Sequence, residues 1–417
     1  MLVDKIKAIS DRYSDYFDTL DDRYQLICKL GEGRYGKVYL ALDLKDEILV
    51  AIKLLKELSS KPQLVSFLNE IKHLVFLLDC VKCDKDIKVT RIINFSFSGQ
   101  INSIRPAVYY VMEFIELGEF YGAIDSGFEF SEKLACFFLR QTLISLRKLH
   151  AFHFYHFDMK PENLLLDSKG RVFLCDFGCS LYAKRLKTVN WSKVKFRGSP
   201  EYAAPEVYEL ELAVQTCKSQ KELCNRISEY QLEKLDTFSF GVLAFVTVIK
   251  SLPFSRASIA DPFYRKFVEC KEDFWQIFSK YKACSKAFKD LVNQLLEPSN
   301  TDRAGVVKME ELYWFLNHDV SEADIEEELN DFITLQKRIF LKELEDKLEA
   351  KAVKRKTSFE QPFLFKGGVT VLNDYITKHK KKLEELRLKL EKSYFGYQRN
   401  SPSELSSVSN NSSDIDS

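Results

Sequence analysis

Long apolar runs are missing from this chain. The longest largely apolar stretch, Gly241 to Ile249, spans nine residues. A membrane-spanning helix needs about 20, so no transmembrane segment is expected. An excess of one charge is missing too. The chain has 62 Lys+Arg against 61 Asp+Glu, a net charge of +1, so nothing pulls it as a whole toward nucleic acid or an anionic membrane, and no nucleic-acid partner is expected. The opening residues, Met1-Leu-Val-Asp-Lys5, carry no apolar core of a secretory signal. The ten cysteines are scattered and in such a chain read as reduced thiols, which points to the cytoplasm. Internal repeats, a calcium loop and a cyclic-nucleotide module are absent. Proline nearly vanishes late in the chain, with only Pro362 between Ser299 and Asn400. Aromatic residues are plentiful, at 33 Phe and 19 Tyr, enough for a core and against disorder of the whole chain.

The 417 residues suit one large domain with extensions, at roughly 150 residues per domain. Residues 1–23 are polar and helix-prone, with Ile6, Ile9 and Tyr13 at helical spacing. Residues 24–318 begin with short alternating strands and continue in longer helical patterns. Residues 319–399 are rich in Lys, Glu and Leu and read as long helices broken near 357–370, where Pro362, Gly367 and Gly368 sit. Residues 400–417 hold eight serines and too little apolar surface to order themselves, so a disordered tail is expected.

Tyr24 to Leu30 alternates like a strand. Gly31-Glu-Gly33-Arg-Tyr-Gly36-Lys-Val38 follows, and Tyr39 to Leu42 resumes the strand. Glycines let backbone amides approach phosphate oxygens. A glycine-rich loop that joins two strands favours a flap over a nucleotide, although a plain hairpin has the same spacing. Leu49-Val-Ala51-Ile-Lys53 then places one lysine inside an apolar strand. A buried ammonium needs an anionic partner. Glu70 is the candidate, in a helical pattern with Phe67, Ile71 and Leu74 on one face. The pair is either structural or a device that aims Lys53 at phosphates.

His156-Phe-Asp158-Met-Lys160-Pro-Glu-Asn163 comes next, then Val172-Phe-Leu-Cys-Asp176-Phe-Gly178. Phosphoryl transfer depends on positioning and charge neutralisation. Asp158 can accept a hydroxyl proton, Lys160 can neutralise the moving phosphoryl group, and Asn163 and Asp176 offer hard oxygens for Mg²⁺.

With these motifs in this order, the sequence resembles a eukaryotic protein kinase of the serine/threonine type. Gly198-Ser-Pro-Glu-Tyr-Ala-Ala-Pro-Glu206 is similar to the family's substrate-docking segment, and Asp236-Thr-Phe-Ser-Phe-Gly241 to the helix whose aspartate anchors the catalytic loop. Arg303 sits where the family pairs an arginine with the glutamate here numbered 206. The resemblance covers 24–318 and implies an α+β fold of two lobes. The small antiparallel β lobe with one helix would be 24–115, the mainly helical lobe 116–318, and ATP with Mg²⁺ would lie between them. It further implies Met112 as gatekeeper, backbone groups of Glu113 and Ile115 against the purine, and Val38, Ala51 and Leu165 around it. Glu119 would reach the ribose or a substrate side chain. Lys160 and Ser199 match the serine/threonine pattern. Glu119 and Glu162 occupy positions that meet an arginine three residues before the acceptor in basophilic members. A pseudokinase scaffold remains the alternative, opposed by the intact Lys53, Glu70, Asp158, Asn163 and Asp176.

The chain departs from the family at three places. Phe157 replaces the arginine that grips an activation-loop phosphate, and the usual phosphate position is Lys195, so activity independent of phosphorylation there is expected. The stretch 210–235 is longer than usual and reads as a surface helical insert. Cys175 and Cys179 flank Asp176-Phe-Gly178 and read as small packing groups more than as reactive thiols. In the extension, Ile376, His379, Leu383, Leu386 and Leu390 give two heptads, short of the three or four a coiled coil needs. The extension either packs onto the kinase or binds a partner. Arg355-Lys-Thr-Ser358 is a site the basophilic reading would accept, or an inhibitory mimic. Lys354 to Lys356 is a weak nuclear signal.

Overall fold

The computed structural model describes residues 2–33, 36–196, 198–280, 282–317, 322–357 and 368–398. The expected Ser-rich tail and Ser358 lie outside them. The amino-terminal helix α1 (Leu2–Asp11) buries Leu2 and Ile6. Six antiparallel strands then close into a barrel, in the order β1-β2-β3-β4-β6-β5. They are β1 (Asp18–Leu20), β2 (Tyr24–Glu32), β3 (Gly36–Asp43), β4 (Ile48–Leu55), β5 (Ile92–Ile101) and β6 (Arg105–Glu113). The sheet thus starts before Tyr24. Leu20 pairs with Tyr24 on one side and with Ile101 on the other, so three residues of the amino-terminal segment close the barrel edge. Helix α2 (Lys61–Cys83) crosses the barrel with Phe67, Glu70, Ile71 and Leu74 turned inward.

The large lobe contains α3 (Phe120–Asp125), α4 (Glu132–Ala151), α5 (Glu206–Thr216), α6 (Gln220–Ile227) and α7 (Glu233–Ile249). It continues with α8 (Pro262–Glu269), α9 (Lys271–Ser279), α10 (Lys286–Leu295), α11 (Val306–Met309) and α12 (Tyr313–Asn317). Helix α7 is buried on every side from Lys234 onward, as its largely apolar second half, residues 240–249, requires. Four short strands, β7 (Phe154–Tyr155), β8 (Leu164–Leu166), β9 (Val172–Leu174) and β10 (Leu181–Tyr182), pair as β10 with β7 and β8 with β9. They carry the catalytic loop to the cleft. The insert forms the end of α5 and α6. It is more than a surface feature, because Leu223 and Ile227 are buried where α6 packs against the turns Leu186–Thr188 and Trp191–Lys193.

The extension folds back as a strap. Helix α13 (Glu326–Thr357) starts on the large lobe, where Glu328 accepts hydrogen bonds from Ser131 N–H (2.8 Å) and Oγ (2.6 Å). Phe332 is fully buried among Phe128, Phe130 and Phe138. Phe340 meets Phe114 at 5.9 Å, beside the connection between the lobes. Lys351 then donates to the Leu26 and Ile27 carbonyls of the barrel at 3.1 and 3.2 Å. Helix α14 (Gly368–Gln398) lies on α2 and β5. Tyr375 stacks on Phe97 at 6.1 Å, and Leu372, Leu386 and Leu390 are buried. The two-heptad seam is therefore used within the chain. Among the described residues no helix is long and apolar enough to cross a membrane.

Candidate active site

The cleft face of the barrel presents the expected lysine. Lys53 on β4 donates to Glu70 Oε1 at 2.6 Å, and both side chains are under a tenth exposed. Asp176 Oδ1 stands 3.7 Å from the same ammonium. Burial works against the Lys53 charge, but Asp176 and Glu70 outweigh it and hold the group protonated well above its ordinary value. Burial pushes the Glu70 carboxyl up, with Lys53 opposing. Lys53 lowers Asp176, against burial and with help from the Gly178 N–H at 3.2 Å. Asp176 itself has φ +56°, a left-handed conformation that persists only where its surroundings impose it.

The catalytic loop hangs from α7. Asp236, fully buried, accepts from the His156 N–H (2.8 Å), the Phe157 N–H (2.7 Å) and His150 Nε2 (2.8 Å). This fixes Asp158. Its Oδ2 is 3.2 Å from Lys160 Nζ and accepts from Asn163 Nδ2 at 3.0 Å, while its Oδ1 accepts from the Ser199 N–H at 3.0 Å. Lys160 also donates to Ser199 Oγ at 2.9 Å. The hydroxyl of Ser199 therefore reaches the lysine, and its backbone N–H reaches the aspartate. Gly198 explains this contact: a Cβ there would sit 2.0 Å from the Asp158 carboxylate, so only glycine lets the segment approach.

Asn163 spends its amide nitrogen on Asp158, which turns the hard carbonyl oxygen to a cation. Among the described residues no group of three or more His, Cys, Asp or Glu could hold a metal alone. The pair Asn163 and Asp176 still fits Mg²⁺, which takes one or two protein oxygens together with substrate phosphates.

Gly31, Gly33 and Gly36 frame the turn from β2 to β3, where the Gly33 N–H donates to the Gly36 carbonyl at 2.9 Å. A Cβ at Gly36 would meet the Leu54 carbonyl at 2.9 Å, and one at Gly31 would lie 3.5 Å from Glu119 Oε1. Glu119 thus lies beneath the loop, bridged by its backbone to Leu165 on β8. Burial, then neighbouring Glu162, pushes its carboxyl up. Val38 on β3 pairs with Lys53, and Ala51 on β4 pairs with Met112, so the apolar residues expected around a purine come from adjoining positions of one sheet. At the hinge the Glu113 N–H is already given to the Arg91 carbonyl at 3.0 Å, and the Glu113 carboxylate holds Arg91 at 2.5 Å. Of the two backbone groups of Glu113, that leaves the carbonyl for the expected purine, with Ile115 two residues on.

Three further sets of contacts had little or no sequence signal. Tyr110 donates to Glu70 Oε1 at 2.7 Å; its one cue was a polar tip in the apolar strand before Met112. Phe157, 3% exposed, stacks on Tyr155 at 5.9 Å and touches Phe196 at 6.0 Å, and Phe196 stacks on Trp191 at 6.1 Å. Nothing in the sequence links those four rings. Lys195 donates to Ser66 Oγ on α2 at 3.2 Å. Arg303, fully buried, clasps Glu206 with two bonds of 2.6 and 2.9 Å, as expected.

A protein kinase domain matches residues 24–315. The chain belongs to the protein kinase family. It is 29% identical over 300 residues to CBL-interacting protein kinase 26 of Oryza sativa subsp. japonica, covering 71% of this chain and 52% of that protein. It is 27% identical over 300 residues to CBL-interacting serine/threonine-protein kinase 20 of Arabidopsis thaliana, covering 70% and 58%. The kinase thus spans about half to three-fifths of the length of these relatives. All ten of its cysteines lie among the described residues, and no disulfide joins any of them. Cys80 and Cys83, spaced as a CxxC pair, lie on α2 with Cys80 buried and Cys83 exposed. Burial raises the thiols of Cys175 and Cys179, the latter to about 12, which fits packing groups and not reactive nucleophiles.

Proposed function

We propose that this kinase transfers the γ-phosphate of ATP to serine or threonine hydroxyls of proteins. The observation that carries this is the joint placement of Lys53 on Glu70 and of Asp158 between Lys160, Asn163 and Ser199. Mg²⁺, when bound, neutralises phosphate charge, and Asn163 and Asp176 are the residues that would hold it. Asp158 takes the proton of the acceptor hydroxyl as its oxygen bonds to phosphorus. Lys160 balances the charge on the phosphoryl group, and the bond to the departing ADP breaks. The test is transfer of labelled phosphate to serine and threonine peptides, lost in Asp158→Asn. An interaction scaffold of the same fold would bind nucleotide and show no difference from that variant.

Basophilic selection deepens this proposal. Glu119 and Glu162 influence each other, and Asp125, Glu129, Glu162 and Glu201 line the groove beside Ser199. Charge-assisted bonds to arginine are short and selective. A peptide array without arginine preference would remove this part.

We also propose that the activation segment needs no phosphate. Phe157 packs against Phe196 where an arginine would meet one, and Lys195 ties the segment to α2. Full activity after phosphatase treatment is the expected result. For the extension the packing of α13 and α14 favours intramolecular support over a free docking arm. Removing 320–417 should lower activity, whereas an inhibitory tail requires a rise. Ten cysteines without a disulfide among them favour a reducing, cytoplasmic setting.

A further inference from the structure

We propose that Tyr110 is a positioning residue of the phosphate-binding lysine, acting through Glu70. The inference rests on the kinase reading of the cleft. Lys53 and Tyr110 are directly opposed on β4 and β6, so their side chains leave the same face of the sheet as neighbours. Glu70 comes from α2 above them. One oxygen, Oε1, accepts from Lys53 at 2.6 Å and from the Tyr110 hydroxyl at 2.7 Å. All three groups are under a tenth exposed.

Lys53 alone makes an unreliable anchor for Glu70, because Asp176 competes for the same ammonium from 3.7 Å. Tyr110 supplies a second donor that does not move with the lysine. Its ring is held on a central strand and packs on Phe67, one turn before Glu70, at 5.1 Å. Burial, then the neighbouring Glu70 charge, lifts the phenol well above its ordinary value, so it remains a donor throughout the working pH range. The bond also favours the ionised form of Glu70, against the burial that disfavours it. A carboxylate held from the sheet keeps α2 and Lys53 in register while the ammonium turns toward phosphate.

The experiment is a double-mutant cycle on the full chain: wild type, Tyr110→Phe, Glu70→Gln and the double variant. Two readouts are used: kcat/KM for Mg-ATP with a serine peptide as a function of pH, and the Kd of Mg-ADP. Tyr110→Phe keeps the ring and removes only the hydroxyl. Its expected effects are a drop of about tenfold in kcat/KM, the scale of one hydrogen bond to a charged group, and a comparable rise in Kd. The acid limb of the pH profile moves to higher pH, because Glu70 loses a group that favours its ionised form. The peptide KM stays unchanged. In the Glu70→Gln background the same substitution has little further effect. Tyr110→Leu, a second route to losing the hydroxyl, must shift the acid limb the same way. A purely structural tyrosine predicts otherwise: lowered melting temperature, an unmoved pH profile and equal penalties with and without the Glu70 carboxylate. That pattern overturns the inference. Wild type no better than Asp158→Asn would instead fail the kinase reading, and the Mg-ADP cycle would still report on Tyr110.

Discussion

Replacing Phe157 by arginine restores the residue that the family uses to grip a phosphate, and the structure says it should harm this kinase. Phe157 is 3% exposed and sits between Tyr155 and Phe196. Two aromatic contacts are worth about 0.5–1.5 kcal/mol each beyond their buried area, so losing both costs about 1–3 kcal/mol. A guanidinium buried without a partner adds about 3–5 kcal/mol. Lys195, on the same segment, has the wrong sign to compensate. The chain escapes this cost by releasing the segment that carries Trp191, Phe196 and Ser199, and the bond from the Ser199 N–H to Asp158 goes with it. The buried guanidinium alone, about 3 kcal/mol at its lower end, leaves the latched form at least about a hundredfold less populated. The assay is peptide phosphorylation by dephosphorylated enzyme, paired with tryptic cleavage at the basic sites between Lys184 and Lys195. Phe157→Arg is expected to lose about two orders of magnitude of activity and to be cut faster, with Phe157→Leu in between. An unphosphorylated Phe157→Arg enzyme as active as wild type would refute the reasoning.

Three other outcomes follow from the same geometry. Gly198→Ala forces a Cβ to within 2.0 Å of the Asp158 carboxylate, so kcat should fall at least a hundredfold while nucleotide affinity, read by titration with Mg-ADP, holds. Phe332→Ala empties a site ringed by three phenylalanines and should cost about 3–5 kcal/mol in denaturant unfolding. His73, which donates from Nδ1 to the Phe177 carbonyl at 3.2 Å, is pushed down to about 4 by burial, against that bond. Its neutral form is favoured by folding, so the contribution is complete above the unfolded value of about 6.5. It is lost as pH falls from there toward 4, at most about 3 kcal/mol. His73→Asn should flatten that acid slope in thermal melts, and an unchanged slope would remove His73 as its source.

The cleft was legible in the sequence because phosphoryl transfer restricts residue types. An isolated lysine in an apolar strand, an aspartate two residues before a lysine and five before an asparagine, and glycines joining two strands each have other uses alone, but together and in this order they carry the resemblance to a protein kinase. The two-lobed fold was what that resemblance implied. What escaped prediction depends on contacts between distant segments. β1 is three residues long, and Asp18-Thr-Leu20 becomes a strand only because Tyr24 and Ile101 offer edges. The rings of Tyr155, Phe157, Phe196 and Trp191 are ordinary core residues until the activation segment brings them together. Helices α13 and α14 are amphipathic, and an apolar face carries no address: Phe332, Phe340 and Tyr375 show their targets only in the folded chain. The insert reads as polar surface because only Leu223 and Ile227 of α6 are buried.

The central claim is that this cleft performs phosphoryl transfer. Its most direct test is transfer of labelled γ-phosphate from Mg-ATP to an arrayed serine/threonine peptide library, with the full chain beside Asp158→Asn. The account predicts labelled serine and threonine peptides, enriched for upstream arginine, with no signal from the variant. Equal signal from both proteins, or none from either the full chain or residues 1–318, would contradict it.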